Sequence, residues 1–227
     1  MKLSIIMPVY NEEKTLLHIY KNVKRVNLGS IKKEIIIVDD ASGDNSWELI
    51  NSIKDKNIIK LKHDKNMGKG KAIKTGLEKV SGDYVIIQDG DLEYNPEEYK
   101  KLLKYIKDYD VIYGSRLMGK IKGFHIPSHF YGNKILSLAT TLLYGKTITD
   151  METCYKLIKL NVIRSIQIKS NRFDFEPEIT VKLLKRGYVI KEVPITYDCR
   201  SFEDGKKISW RDGIKALYVL LKYRFLQ

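Results

Sequence analysis

Asp89, Asp91 and Glu93 crowd into the stretch "IIQDGDLEYNP", directly behind an apolar run. Asp and Glu are poor strand formers, and three anions so close repel one another. A cation resolves the conflict. If the strand register continues through Glu93, alternate residues share a side, and three hard oxygen donors face one way. Such a set suits Mg²⁺ or Mn²⁺. Mg²⁺ usually takes only one or two protein carboxylates, the rest of its shell being water and phosphate oxygen. The acids therefore point to a phosphate-bearing substrate, best a diphosphate, and Gly90 between them lets a ligand approach the backbone closely.

Three further polar clusters follow apolar runs: Tyr10-Asn11-Glu12, Asp39-Asp40 and Gly114-Ser115-Arg116. Any one alone reads as a turn or a helix cap. "HDKNMGKGKA" is neither a Walker sequence nor GxGxxG. It is a glycine turn placing Lys69 and Lys71 at a helix start, where N–H groups and positive charge could meet a phosphate.

The elements that must position these residues alternate. "LSIIMPVY", "EIIIVDD", "IIKLKHD", "DYVIIQD" and "DVIYGSR" read as strands. Between them, helices are expected over "NEEKTLLHIYKNVKRV", with Asn11 as N-cap, then "SGDNSWELINSIK", "NMGKGKAIKTGLEKV" and "NPEEYKKLLKYIK". This alternation predicts an α/β fold with a mostly parallel central sheet flanked by helices. Ligands of such sheets collect at the carboxyl ends of the strands, so the four clusters converge on one crevice. After residue 116 the pattern loosens: a loop "GFHIPSHF", an apolar helix "FYGNKILSLATTLLYG", a strand "CYKLIKL", a helix "EPEITVKLLKRG", a strand "YVIKEVPITY" and a last helix in "ISWRDGIKALYVLLKYRF". One domain is expected over 1–227, with a nucleotide half (1–116) and an acceptor half (117–227).

"PVYNE", "VDDAS", "NMGKGKA", "GDYVIIQDGDLEYNP" and "GSR", in this order and spacing, resemble the family-two glycosyltransferases of the GT-A fold. The branch most alike is that of dolichyl-phosphate mannose synthases and polyprenyl-phosphate glucosyltransferases. "TDMETCYKLIK", "FEPEITVKLLKRG" and "EVPITYDCRSFEDGKKISWRDG" look like its later motifs. The resemblance implies that Pro8, Tyr10 and Glu12 line the nucleotide base and ribose, and that Asp40, with Asp39 beside it, contacts the base. Asp89 and Asp91 become a DxD-type pair. Asp91 and Glu93 would ligate the metal, with Asp89 near the ribose or sugar; many members of the branch carry Gln where this chain has Glu93. Arg116 would face the diphosphate or an acceptor phosphate. Arg200 would meet the acceptor phosphate, with Lys206 and Lys207 near.

The implied reaction is inverting transfer of a hexose from a nucleotide-diphosphate sugar, of the GDP-mannose or UDP-glucose type, to a polyprenyl (dolichyl or undecaprenyl) phosphate. A phosphate acceptor is already anionic near neutral pH and needs no strong base. Asp150 is the position expected to act as base or to orient the acceptor. Glu176 and Glu178, beside Pro177, read as first-turn caps. His18, His63, His125 and His129 lack metal spacing and take no role.

The 227 residues carry a net charge of +13, which attracts polyanions without choosing among them. Cys154 and Cys199 form no zinc or disulfide pattern, consistent with a reducing cytosol. The opening apolar run is too short for a signal peptide, and no stretch reaches the ~20 apolar residues of a membrane span. In the last helix Trp210, Ile214, Leu217, Leu221 and Phe225 share a side, with Arg211, Lys215 and Lys222 about 100° away. That arrangement serves a core helix with a wet edge, or an interfacial helix on anionic lipid. The expectation is an enzyme peripheral to the cytoplasmic face of a membrane. Two alternatives remain: transfer to a saccharide acceptor, and a nucleic-acid-binding protein. Carboxylates at the strand ends oppose the latter by repelling a phosphate backbone.

Overall fold

The computed structural model describes residues 1–123, 127–200 and 210–225. Lys206, Lys207 and His125 lie outside the described residues, as does the side chain of Trp210. The first half alternates strand and helix: β1 (Lys2–Val9), α1 (Leu16–Arg25), β2 (Lys32–Asp39), α2 (Ser46–Ser52), β3 (Ile58–Lys62), α3 (Lys69–Leu77) and β4 (Tyr84–Ile87). A 3₁₀ turn (Pro96–Glu98) leads into α4 (Tyr99–Leu103). Then come β5 (Val111–Gly123), α5 (Pro127–Tyr144), β6 (Lys156–Lys159), α6 (Leu160–Ser165), α7 (Phe175–Lys185), β7 (Ile190–Cys199) and α8 (Trp210–Phe225).

One seven-stranded sheet takes the order β3-β2-β1-β4-β6-β5-β7. Each neighbouring pair is parallel except those made by β6, which runs antiparallel to both β4 and β5. The apolar runs are buried on both faces, as a covered parallel sheet requires: Ile5, Ile6, Met7, Ile36, Ile37, Val38 and Ile86 are fully enclosed. Leu16, Ile19, Tyr20 and Val23 give α1 its buried stripe. A smaller apolar cluster under α5, α7 and α8 gathers Ile148, Met151, Val181, Leu184, Val219 and Leu220.

Several expected boundaries move, each with a local cause. α1 begins at Leu16, not at Asn11. Asn11 takes a left-handed φ of 51°, and its Oδ1 accepts the Gly43 N–H at 2.8 Å, tying the turn after β1 to the turn after β2. β4 stops at Ile87, so Asp89, Asp91 and Glu93 lie on a turn and strand alternation does not aim them. β5 does not end at Arg116. It continues to Gly123, with a register break against β7 between Ser115 and Lys120. The break places Arg116 where the strand bends, and β5 crosses the expected division between the halves.

Candidate active site

The strand ends converge on a cavity of about 1030 Å³. Pro8, Tyr10, Glu12, Asp40, Lys69, Asp89, Gly90, Asp91, Glu93, Arg116 and Arg200 all border it. Asp39 and Asp150 do not; both are fully buried.

The wall after β1 and β2 is held by short-range polar bonds. The Glu12 N–H donates to Ser46 Oγ at 2.9 Å, and Thr15 Oγ1 donates to Glu12 Oε2 at 2.9 Å and to the Gly90 carbonyl at 3.0 Å. Asp40 is a hub. Its carboxylate accepts the N–H groups of Met67 at 2.9 Å and Gly68 at 2.7 Å, and meets His63 Nδ1 at 2.7 Å. His63 Nε2 lies 2.9 Å from Thr75 Oγ1. Asp39, expected at the nucleotide, instead accepts the Ser42 N–H at 3.2 Å inside the turn, and its Oδ1 is sealed away. Burial between β1 and β3 is what removes it from the cavity.

The "NMGKGKA" turn brings α3 into the site. Gly68 has φ +96°, and a Cβ there would stand 2.5 Å from the Asn171 carbonyl, so the α3 entrance abuts the 170–172 loop. Lys69 then projects into the cavity, its Nζ 2.8 Å from Asp89 Oδ1 and 2.9 Å from Glu176 Oε1. Burial opposes ionisation of Asp89, but the Lys69 ammonium outweighs it and holds the carboxyl below its usual range. Beneath, buried Gln88 fixes the turn. Its Oε1 accepts the hydroxyls of Tyr99 at 2.6 Å and Tyr155 at 2.7 Å, while its Nε2 donates to the Asp89 carbonyl at 3.1 Å.

Asp91 Oδ1 accepts the Glu93 N–H at 3.0 Å, closing the turn, and Oδ2 lies 2.9 Å from Arg200 Nη2. Arg200 also reaches Glu12 at 3.2 and 3.3 Å, and its backbone N–H donates to Glu93 Oε1 at 3.0 Å. Burial, then Asp89 and Glu93, push the Asp91 carboxyl up to about 8, although Arg200 pulls it down. Arg200, expected at an acceptor phosphate, thus sits among the acids. Among the described residues no group of three His, Cys, Asp or Glu side chains is arranged to hold a metal. The all-oxygen set still fits a divalent ion of the kind that needs one or two carboxylates with phosphate oxygens completing its shell.

Arg116 and Asp150 form a forked pair: Nε and the backbone N–H of Arg116 donate to Oδ2 at 2.7 and 2.8 Å, and Nη2 donates to Oδ1 at 2.7 Å. Asn133 Nδ2 adds a fourth donor at 2.8 Å. Burial would raise the Asp150 carboxyl, but the guanidinium overrides it and keeps the group ionised. With four donors on two oxygens, Asp150 is built to orient Arg116 rather than to accept a substrate proton. The Arg116 guanidinium lies 5.2 Å over the Tyr197 ring and takes none of these bonds through Nη1. Glu178 lies outside the cavity lining. It accepts the N–H groups of Lys169 and Ser170 and the Tyr223 hydroxyl, which is more than a first-turn cap does.

Sequence reasoning passed over Glu152 and Arg172, which border the cavity, and His63, which backs Asp40. Past Arg116 the lining turns apolar: Leu117, Ile121, Phe130, Ile135, Leu136, Ile214 and Leu217, from β5, α5 and α8. One continuous space therefore runs from an acidic, cation-balanced end to an apolar groove.

Comparison with known proteins accords with this geometry. The family model described as Glycosyl transferase family 2 matches residues 4–166. The chain is 28% identical over 96% of its length to the UDP-N-acetylglucosamine–dolichyl-phosphate N-acetylglucosaminyltransferase of Methanococcus voltae, spanning 94% of that protein. It is 27% identical over 98% of its length to the dolichol-phosphate mannosyltransferase of Pyrococcus furiosus, spanning 64% of that longer protein. Glucosyl-3-phosphoglycerate synthase of Mycobacterium tuberculosis was solved with Mn²⁺, uridine diphosphate and glucosyl-3-phosphoglycerate. It superposes with a TM-score of 0.70 at 17% identity, over 98% of this chain and 79% of that one. At that identity the likeness is one of fold.

Proposed function

Since the chain belongs to glycosyl transferase family 2, we propose that it is an inverting enzyme moving a hexose from a nucleoside-diphosphate sugar to a polyprenyl phosphate at a membrane surface. The observation that carries this reading is the continuity of the cavity. Its acidic end suits a sugar diphosphate, Arg116 stands at the middle, and the groove beyond suits an isoprenoid chain. Both dolichyl-phosphate relatives support the acceptor class.

The nucleoside lies against Pro8, Tyr10, Glu12 and Asp40. Asp91, with Asp89 and Glu93 at hand, would hold Mg²⁺ or Mn²⁺, and the Mn²⁺-bound structural neighbour supports a divalent ion. When bound, the ion neutralises charge on the leaving diphosphate. Lys69 adds a fixed cation beside Asp89. Arg116, held in one orientation by Asp150, presents its guanidinium to the acceptor phosphate, whose geometry it matches. Arg200 completes the acceptor site by exchanging carboxylate partners for phosphate. The acceptor oxygen arrives ionised, so no group in the site has to remove a proton from it.

The test is incubation with radiolabelled GDP-mannose, UDP-glucose or UDP-N-acetylglucosamine, polyprenyl phosphate and Mn²⁺. Label extracted into the organic phase is the expected result. Label on a glycan and none in the lipid would overturn the acceptor in favour of a saccharide.

A further inference from the structure

On the cavity wall that also carries Lys69, one acid is exceptional. The Lys69 ammonium is committed to Asp89 and Glu176. Glu152 Oε1, in contrast, is sealed from solvent and has no hydrogen-bond partner among the described residues, and the same holds for Glu176 Oε2 behind Lys69. Elsewhere in the site the buried acids are matched: both oxygens of Asp40 and both of Asp150 accept hydrogen bonds. Glu152 is not placed loosely. On one side Asp150 is locked under Arg116. On the other, Thr153 Oγ1 donates to the Gly114 carbonyl at 2.6 Å and the Cys154 N–H donates to the Tyr94 hydroxyl at 3.0 Å. The buried Lys156 ammonium caps the Met151 carbonyl at 2.8 Å. A segment pinned at both ends thus sets one unmatched carboxyl on the cavity wall.

We propose that Glu152 reads the transferred sugar, exchanging hydrogen bonds with its ring hydroxyls. This rests on the glycosyl-transfer reading of the site. A sugar hydroxyl both donates and accepts, so the best partner does both. Burial first, then the charge of Glu176, push the Glu152 carboxyl up to about 8, against the pull of Lys156 and Arg116. Near neutral pH it carries its proton, gives one hydrogen bond and accepts another. A neutral group also avoids repelling the donor diphosphate, as an ionised one would. Oε1 is itself closed off, so the sugar meets the part of the Glu152 side chain that borders the cavity and not that oxygen.

Calorimetry on Glu152→Ala and Glu152→Gln tests this, with UDP, GDP, UDP-glucose, UDP-N-acetylglucosamine and GDP-mannose as probes in Mn²⁺. For the nucleotide sugar that the unaltered enzyme binds best, Glu152→Ala should weaken binding by about tenfold or more, the scale of one lost hydrogen bond. Its affinity for the parent diphosphate should change by less than about threefold. Glu152→Gln keeps a donor and an acceptor and should retain sugar-nucleotide affinity within about threefold, with kcat within about tenfold. Thermal midpoints confirm that the variants fold. If the alanine variant does not, Glu152→Leu, which fills the space without a polar group, takes its place with the same expected loss. The outcomes that follow are read on whichever of the two folds. Equal loss of diphosphate and sugar nucleotide, or loss of neither, overturns the proposal. So does a Glu152→Gln enzyme that binds normally but loses more than about a hundredfold in kcat, since Glu152 would then be a proton acceptor. An unaltered enzyme that binds none of the five probes would overturn the glycosyl-transfer reading itself, and this proposal with it.

Discussion

Arg116 and Asp150 are one unit at the scale of the residue. The pair is buried, so removing one charge strands the other. Asp150→Asn should cost about 3–5 kcal/mol of stability, read by urea unfolding, because the guanidinium keeps no anionic partner. Arg116→Lys preserves charge but not the fork. It should lower kcat/KM by about tenfold or more with the thermal midpoint little changed, and an unaltered rate would remove Arg116 from the acceptor site. Glu178 makes a separate prediction. Burial opposes its ionisation, but Lys182 and the N–H groups of Lys169 and Ser170 win and hold it at about 2. An unfolded glutamate titrates at about 4.3, so between there and about 2 the unfolded chain binds more protons than the native one. Its contribution is full above that window and is lost as pH falls through it. Glu178→Gln should weaken the fold by about 2 kcal/mol at pH 7 and flatten the acid slope of unfolding. Acid curves of equal steepness in both proteins would contradict this.

Among the elements, the strands that end in polar clusters were legible because each advertises itself locally: an apolar run, then Asn, Asp or Gly. Their convergence followed from parallel strand order alone. Glu152 was not legible. "TDMETCY" carries no sign that Asp150 turns beneath Arg116 while Glu152 borders the cavity, since that is decided by pairing of β6 with strands far away in sequence. Nor was the Asp40–His63 contact, whose members are 23 residues apart and belong to neighbouring strand ends. Asp91 and Glu93 border the cavity, and a side-chain-closed turn, not the expected strand alternation, aims them. The α3 entrance depends on backbone approach more than on its lysines. Gly68→Ala would force a methyl against the Asn171 carbonyl at a left-handed φ. It should cost about 2 kcal/mol or more and weaken nucleotide binding, through the Gly68 N–H that Asp40 needs. A variant as stable and as tight as the parent would show that the loop yields.

For the whole molecule, exposed apolar side chains gather on α5 and α8. Along α5, Tyr131, Ile135, Leu138 and Leu142 are exposed, Leu142 at 75%, and α8 adds Ile214, Tyr218 and Phe225. The helices are joined by the Tyr144 hydroxyl, which donates to the Leu220 carbonyl at 2.7 Å. Among the described residues no helix is long and apolar enough to cross a membrane. With +13 net charge, sedimentation with anionic vesicles should weaken as salt rises. Leu138→Glu with Leu142→Glu should release the protein from vesicles while leaving nucleotide binding intact. Vesicle binding that survives both substitutions would move the contact elsewhere. The antiparallel β6 has a consequence in time as well as in space. It enters the sheet between β4 and β5, and the segment leading to it delivers the Tyr155 hydroxyl to Gln88, which steadies the Asp89 turn. On the ribosome β1 to β5 emerge before β6, and the centre of the sheet stays open until residue 159 is out. Donor binding should accordingly be the last property to appear during refolding, rising with the burial of the Tyr99–Tyr155 pair and not with the earlier gain of helix.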